Sequence, residues 1–314
     1  LIHGASFSLF IGVVVVSIAL TGGRLDDLRL KDYTVSLDSD EIVQVFQRVG
    51  SNDAYYTLYG WAPGGGLTLN DVPSVTTNWS VESGDTLNAD SPVTLRWDSP
   101  NGTVFRRTIE IDEDFMFTVT QSVENTSGDA LTMAPYGLIA RHGEPADLKN
   151  FFILHEGVVA MADGTLAEID YSDMTDFAVD PAEGARAEVT QVAENGWIGF
   201  TDHYWMTTII PENGTAFRQV AKYSDASNIY QTEAVQPTIT IGPGETREVS
   251  TQLFAGAKEW ETINQPDVLM IPIGGKSIHN TMDENVAGIK SFTDPIVLSH
   301  PTNTDLNVIF NATG

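Results

Sequence analysis

Short runs of β-branched and aromatic residues, separated by clusters of Gly, Pro, Asn and Asp, fill most of the first 254 residues. In the segment 115–123, Phe117 and Val119 alternate with threonines, which is the pattern of a strand with one apolar face and one polar face. Nine runs predict strands in this way: 94–97, 104–111, 115–123, 187–191, 197–200, 207–210, 216–223, 238–241 and 248–254.

Strands at this spacing, with no long segments of helical periodicity between them, indicate an antiparallel sandwich. We therefore predict an all-β fold with a minor α content, below about a fifth of the residues. The segments 104–111 and 115–123 are joined by an acidic turn and form the clearest predicted hairpin. The less regular stretch 143–171 is expected to hold a crossing loop and a short helix.

The N-terminal stretch 7–20 is apolar over 14 residues and carries no charge. As a helix it would extend roughly 21 Å, which is short of the ~30 Å hydrocarbon core of a bilayer. It has no basic residue ahead of it, and its residues 13–16 are all valine. Four β-branched residues in a row favour a buried strand. The alternative is the remnant of a membrane anchor.

The strongly negative charge of the chain excludes some classes of binding partner. The sequence has 43 acidic and 16 basic residues, giving a net charge of −27. A surface this negative repels nucleic acid and anionic lipid headgroups, so neither is expected as a partner, and the acidity is best explained by solubility. Cysteine is absent, which excludes disulfides and cysteine-ligated zinc but does not indicate a compartment.

Aromatic rings are concentrated between residues 197 and 205, in the sequence WIGFTDHYW. Neither face of this segment is purely polar, which is typical of a central strand that is covered on both sides. We predict that the strand ends near Thr201 and Asp202. We also predict that the rings are part of the core rather than a platform for a ligand. The rings are Trp197, Phe200, Tyr204 and Trp205.

Four segments, taken in order, resemble the large periplasmic domain of YidC-type membrane protein insertases. They are Gly-Gly-Arg-Leu-Asp-Asp-Leu at 22–28, the hairpin 105–124 followed by Asn125, the aromatic segment 195–205, and Pro-Gly-Glu at 243–245 leading to 253–259. The resemblance extends over 17–263, which we predict to be one domain. Residues 1–16 and 264–314 do not match, and no role is assigned to them.

The resemblance implies an antiparallel β-supersandwich, similar to galactose mutarotases, on the periplasmic side of the bacterial inner membrane. It implies a non-catalytic scaffold that assists membrane protein insertion and folding. Its expected partners are accessory subunits of the Sec translocon and nascent membrane proteins, both through the parent insertase. In the family, the membrane is reached through helices that precede and follow this domain, and no stretch of this chain has their apolar length. No cofactor is expected.

The second hypothesis is a carbohydrate-binding or aldose-epimerase-like enzyme, because the same fold carries unrelated functions. A mutarotase needs a histidine acid and a carboxylate base within reach of one sugar ring. His142, His203 and Glu144 are the candidates for these roles in the cleft; alternatively, they are polar residues of loops and strand ends. The histidines lack the short spacings of metal ligands, so we expect neither a metal site nor catalysis.

Overall fold

The computed structural model describes residues 6–10, 14–35, 39–112, 116–146, 148, 155–258, 297–299 and 307–309. The chain divides into two units, Leu1–Met270 and Ile271–Gly314. In chain order, the strands of the first unit are β1 (Ser6–Phe10), β2 (Val14–Ala19), β3 (Arg24–Thr34), β4 (Ile42–Phe46), β5 (Tyr55–Gly64), β6 (Ser80–Ser83), β7 (Val93–Asp98), β8 (Thr103–Ile111), β9 (Met116–Asn125), β10 (Leu131–His142), β11 (Gly157–Ala162), β12 (Thr165–Asp170), β13 (Val179–Asp180), β14 (Ala185–Val192), β15 (Gly196–Thr201), β16 (Trp205–Pro211), β17 (Phe217–Ser224), β18 (Ile229–Val235), β19 (Ile239–Ile241) and β20 (Thr246–Ala257).

Two antiparallel sheets make up the described part of the first unit. The larger sheet has eleven strands in the order β1-β2-β3-β5-β10-β18-β17-β14-β13, with β4 beside β3 and β19 beside β10. The smaller has nine, in the order β12-β11-β15-β16-β20-β9-β8-β7-β6. One six-residue helix, α1 (Tyr171–Asp176), follows β12. The predicted all-β supersandwich with a minor α content is therefore confirmed.

The core lies between the inward faces of the two sheets, where apolar side chains alternate with outward-facing residues. Phe105 and Phe117 are fully buried on the smaller sheet, and Ile139 is fully buried on the larger one. The Tyr55 ring of the larger sheet meets the Phe200 ring of the smaller sheet at 6.3 Å. Burial of this apolar area is the main favourable term in folding.

Each of the nine predicted strands overlaps an observed strand, and the predicted hairpin is β8–β9, in which Thr103 pairs with Asn125. The stretch 143–171, expected to be irregular, contains the hairpin β11–β12 in addition to the start of α1. The aromatic segment also follows its prediction, because β15 ends at Thr201 and is buried on both faces. Tyr204 is an exception to the predicted core position of the rings, since it is exposed in the turn before β16.

The prediction of a single strand over 7–20 is wrong in one respect: the segment contains two strands, β1 and β2, paired antiparallel. A single strand of 14 residues would extend about 46 Å, more than twice the usual length. By folding back, β2 also pairs with β3, and Val16 and Ile18 become fully buried. Within the described residues, no helix has the length and apolar character needed to cross a bilayer.

In the second unit, the described residues are β21 (Val297–Ser299) and β22 (Asn307–Ile309), which pair antiparallel with Val297 opposite Ile309. Most of the predicted terminal segment 264–314, and half of 1–16, lies outside the described residues. The limits of the predicted domain at 17 and 263 therefore stay predictions.

Candidate functional site

The three candidate residues lie near the same end of the sandwich but in different environments. His142 ends β10, and its ring lies 5.9 Å from that of Tyr56. Glu144 is exposed and accepts a 3.2 Å hydrogen bond from the Tyr230 hydroxyl. His203 lies in the turn between β15 and β16. Over the described chain, no hydrogen bond, ion pair or ring contact joins any two of the three, and their role at a ligand stays a prediction.

What the structure brings together at this end is the ion pair of Arg141 and Asp202, which bridges the two sheets. Arg141 precedes His142 on β10 and therefore points to the opposite face. Its guanidinium lies 3.9 Å from the centre of the Tyr55 ring and donates to the Asp202 carboxylate. The Tyr171 hydroxyl of α1 donates to the other carboxylate oxygen at 3.0 Å. Both oxygens of Asp202 are thus engaged by internal partners.

Lys258, which directly follows β20, belongs to the same cluster. Its ammonium donates to the Thr201 hydroxyl at 3.1 Å and to the Asp202 carbonyl at 2.5 Å. Burial lowers the pKa of Lys258, and the nearby carboxylates of Asp202 and Glu156 oppose this shift. Burial likewise raises the pKa of Tyr55 to about 12. The cluster therefore joins strands of both sheets and α1 and offers no free acid–base pair.

Sequence reasoning selected the histidines and missed their neighbours Arg141 and Asp202. These two residues are 61 positions apart, so no local pattern connects them. One signal was present: Arg141 follows Ile139 by two residues, so it shares the core-facing side of its strand. A charged residue at such a position needs a partner, because an unpaired buried charge is costly.

A second group of charges lies at a β-bulge in β3. Ser17 pairs with Asp27, but Ile18 pairs with Leu25, so Asp26 has no residue opposite it on β2. Bulges of this kind redirect side chains and increase the local twist. As a result, two consecutive carboxylates, those of Asp26 and Asp27, both lie within electrostatic reach of Arg48.

The Asp27 carboxylate is held by three N–H groups at the edge of an open surface cavity of about 260 Å³. Arg29 Nε and Gln44 Nε2 each donate to Oδ1 at 3.0 Å, and Arg48 Nη2 contacts Oδ2 at 3.0 Å. We call this cavity the arginine pocket. It is lined by Asp27, Arg29, Gln44, Gln47, Arg48 and Ser51.

Asp26 is less well compensated than its neighbour. Its nearest cation is Arg24, with 3.9 Å between Nε and Oδ2, and its Oδ1 has no hydrogen-bond partner among the described residues. Burial raises the pKa of Asp26 to about 6, although Arg24 and Arg48 act in the opposite direction. The Arg24 guanidinium also lies 5.8 Å from the centre of the Tyr56 ring, and that ring lies 5.9 Å from the His142 ring.

We expect Asp26→Asn to stabilise the chain at pH 7.5 by about 1–3 kcal/mol, because it removes a poorly solvated charge. Since the folded pKa of Asp26 lies above the ordinary 3.8, the folded state binds the extra proton, and stability falls as the pH rises from about 4 to 6. The advantage of the variant should therefore shrink below pH 6 and vanish near pH 4. Urea unfolding at a series of pH values measures this.

Asp27→Asn is the matched control for this prediction, because Asp27 is similarly buried but has three donors. It should destabilise the chain at pH 7.5. If Asp26→Asn were also destabilising there, the attraction of Arg24 for Asp26 would outweigh the cost of burial, and the prediction would be wrong.

A metal centre finds no support in the part of the chain that the structure describes, where no group of three or more His, Asp or Glu side chains could hold an ion.

The pairing of an eleven-stranded and a nine-stranded antiparallel sheet around one core defines a β-supersandwich. Among solved structures, the Slr1438 protein from Synechocystis sp. PCC 6803 is similar at a TM-score of 0.51 and 9% identity, covering 82% of this chain and 97% of that chain. A putative aldose 1-epimerase from Escherichia coli K12 has a TM-score of 0.48 and 12% identity, covering 81% and 99%. At such identities the likeness concerns the fold alone.

The family profile described as the YidC periplasmic domain matches residues 11–286, so the chain belongs to that family. A membrane protein insertase YidC from Ruegeria sp. (strain TM1040) is 60% identical over 250 residues, which is 79% of this chain and 41% of that protein. The corresponding protein from Ruegeria pomeroyi is 62% identical over 253 residues, covering 79% and 42%. The chain thus spans about two fifths of the length of these relatives, and the resemblance found in the sequence is confirmed.

Proposed function

We propose that this chain is a non-catalytic interaction module of a membrane protein insertase, acting from the periplasmic side of the bacterial inner membrane. The observation that carries the proposal is the Arg141–Asp202 cluster. At the end of the sandwich where His142, Glu144 and His203 lie, the strongest polar groups bind one another and hold the sheets together. Such an arrangement favours a rigid scaffold over an acid–base site.

The proposed partners are accessory subunits of the Sec translocon and nascent membrane proteins, which the domain meets through the parent insertase. The names of the relatives support nascent membrane proteins as partners, because those relatives are membrane protein insertases. The net charge of −27 favours partner surfaces that are basic and disfavours anionic ones. The module itself is proposed to extend over 17–263.

The test is capture from bacteria that carry a Sec translocon. The full 314-residue chain, exported to the periplasm and cross-linked in cells, is expected to enrich accessory subunits of the translocon, identified by mass spectrometry. The E. coli putative aldose 1-epimerase, exported in the same way, is the control for the fold and should not enrich them. Equal recovery with both proteins, or no recovery with this chain, would contradict the proposed partnership.

A second candidate function, a carbohydrate-binding or aldose-epimerase-like enzyme, is favoured by one observation. His142 Nε2, Asp26 Oδ1 and Arg24 Nε are buried without a hydrogen-bond partner among the described residues, and the Tyr56 ring lies near both Arg24 and His142. Burial lowers the pKa of His142, which disfavours the protonated form that a histidine acid needs and counts against this candidate. On this alternative, Asp26 would replace Glu144 as the carboxylate that works with His142.

A further inference from the structure

In the arginine pocket, the acidic side chain is buried and the two basic side chains are partly exposed to solvent. The carboxylate of Asp27 is buried, with 8% of its side chain exposed, whereas Arg29 and Arg48 are 44% and 49% exposed. The buried Asp27 carboxylate therefore holds the two guanidinium groups in place, while the more exposed parts of both arginine side chains line the cavity. Because Arg48 also donates to the Ser17 hydroxyl at 3.3 Å, its orientation is fixed from two sides.

The two arginines of the pocket supply only hydrogen-bond donors. Three donors engage the oxygens of Asp27. Each guanidinium has five N–H groups, and the bonds to Asp27 and Ser17 use Nε of Arg29 and Nη2 of Arg48. Gln47 adds an amide at the lining. Two arginines and one aspartate give the lining a formal charge of +1 in a chain whose net charge is −27.

We propose that the arginine pocket is a carboxylate-binding site, in which Arg29 and Arg48 together bind one carboxylate from solvent. The guanidinium fork matches the two oxygens of a carboxylate, and both arginines already hold the Asp27 carboxylate at 3.0 Å. A singly charged ligand suits the local charge of +1. A phosphate dianion would be repelled more strongly by the rest of the molecule.

The carboxylate can come from a free small acid or from the C-terminus of a polypeptide, and the experiment separates these sources. The full chain, labelled with 15N-arginine, is titrated with sodium acetate and followed by the Nε–H signals of its arginines. Sodium chloride at the same ionic strength is the blank. We expect saturable shifts of the Arg29 and Arg48 signals with acetate and none with chloride.

Arg247 provides the matched control, because it is half exposed and bound to one carboxylate, Glu245, at 3.0 Å, without belonging to the pocket. Its signal should not move saturably. Arg29→Gln and Arg48→Gln should each weaken acetate binding about tenfold or more, the effect of losing one charge-assisted contact. Arg247→Gln should leave the affinity unchanged. A thermal melt of each variant confirms folding, and the titration of the unmodified chain is decisive even if a variant unfolds.

Three further ligands complete the test. N-acetylglycylglycine should bind as a polypeptide C-terminus does, and its amide should not bind. Binding of acetate without binding of N-acetylglycylglycine would restrict the site to free small acids, still as a carboxylate site. The proposal is overturned if the amide binds as well as the acid, if inorganic phosphate binds at least as tightly as acetate, or if chloride or Arg247 reproduces the shifts.

Discussion

Replacing Trp197 by alanine is expected to lower the free energy of unfolding by about 3–5 kcal/mol, the usual cost of deleting a buried tryptophan ring. Trp197 is only 5% exposed. It lies in β15 opposite Met161 of β11, and its carbonyl accepts a 3.0 Å bond from the Gln219 amide of the other sheet. A loss of this size is a large part of the ~5–15 kcal/mol that stabilises a typical domain. Urea unfolding followed by circular dichroism measures it.

Tyr204 offers a control within the same aromatic segment, because it is 58% exposed. Tyr204→Ala should change the free energy of unfolding by no more than about 0.5 kcal/mol. If Trp197→Ala were equally mild and instead abolished binding of a sugar, the ring would be a stacking platform rather than part of the core. The scaffold interpretation of this segment would then be wrong.

The second large effect is expected at the ion pair between the sheets. Arg141→Leu should lower the free energy of unfolding by about 3–5 kcal/mol, because the largely buried Asp202 carboxylate would lose the guanidinium that pairs with it directly. Tyr171 would remain as a donor to that carboxylate, but one neutral hydrogen bond does not replace a guanidinium. Urea unfolding at pH 7.5 is again the measurement.

A double-mutant cycle isolates the interaction of this pair. Asp202→Leu alone should also be destabilising, whereas Arg141→Leu combined with Asp202→Leu should cost clearly less than the sum of the two single changes. Arg247→Leu, which breaks an exposed pair with Glu245, should cost at most about 1 kcal/mol. Additive effects at Arg141 and Asp202 would show that the pair does not couple the sheets.

The sequence predicted the strands in which apolar and polar residues alternate cleanly, such as β8 and β9. It missed β5 and β10, which lie at the centre of the larger sheet. Both contain residues that are typical of turns: Gly60 and Pro63 in β5, and Pro135 and Gly137 in β10. The structure explains the two glycines, because a Cβ at Gly60 would lie 2.5 Å from the Tyr136 hydroxyl and one at Gly137 would lie 2.8 Å from the Tyr59 ring.

The candidate site was less predictable than the fold. His142 and His203 were selected by residue type alone, and residue type says nothing about which groups converge. The charged group at β3 depends on a one-residue bulge at Asp26, which alters the alternation of faces and has no signature in the sequence. Arg48, the cation near Asp26 and Asp27, lies in the loop after β4. It comes close to these two carboxylates only because β3 and β4 pair.

We propose that this domain binds other proteins and catalyses no reaction, and polarimetry tests this proposal most directly. Freshly dissolved α-glucose or α-galactose is mixed with the full chain, and the rate of mutarotation is followed as the protein concentration rises. If the domain is a non-catalytic scaffold, the rate should equal that of the buffer alone at every protein concentration. A rate that increases with protein concentration, and that disappears in His142→Ala or His203→Ala, would contradict it and favour the enzyme.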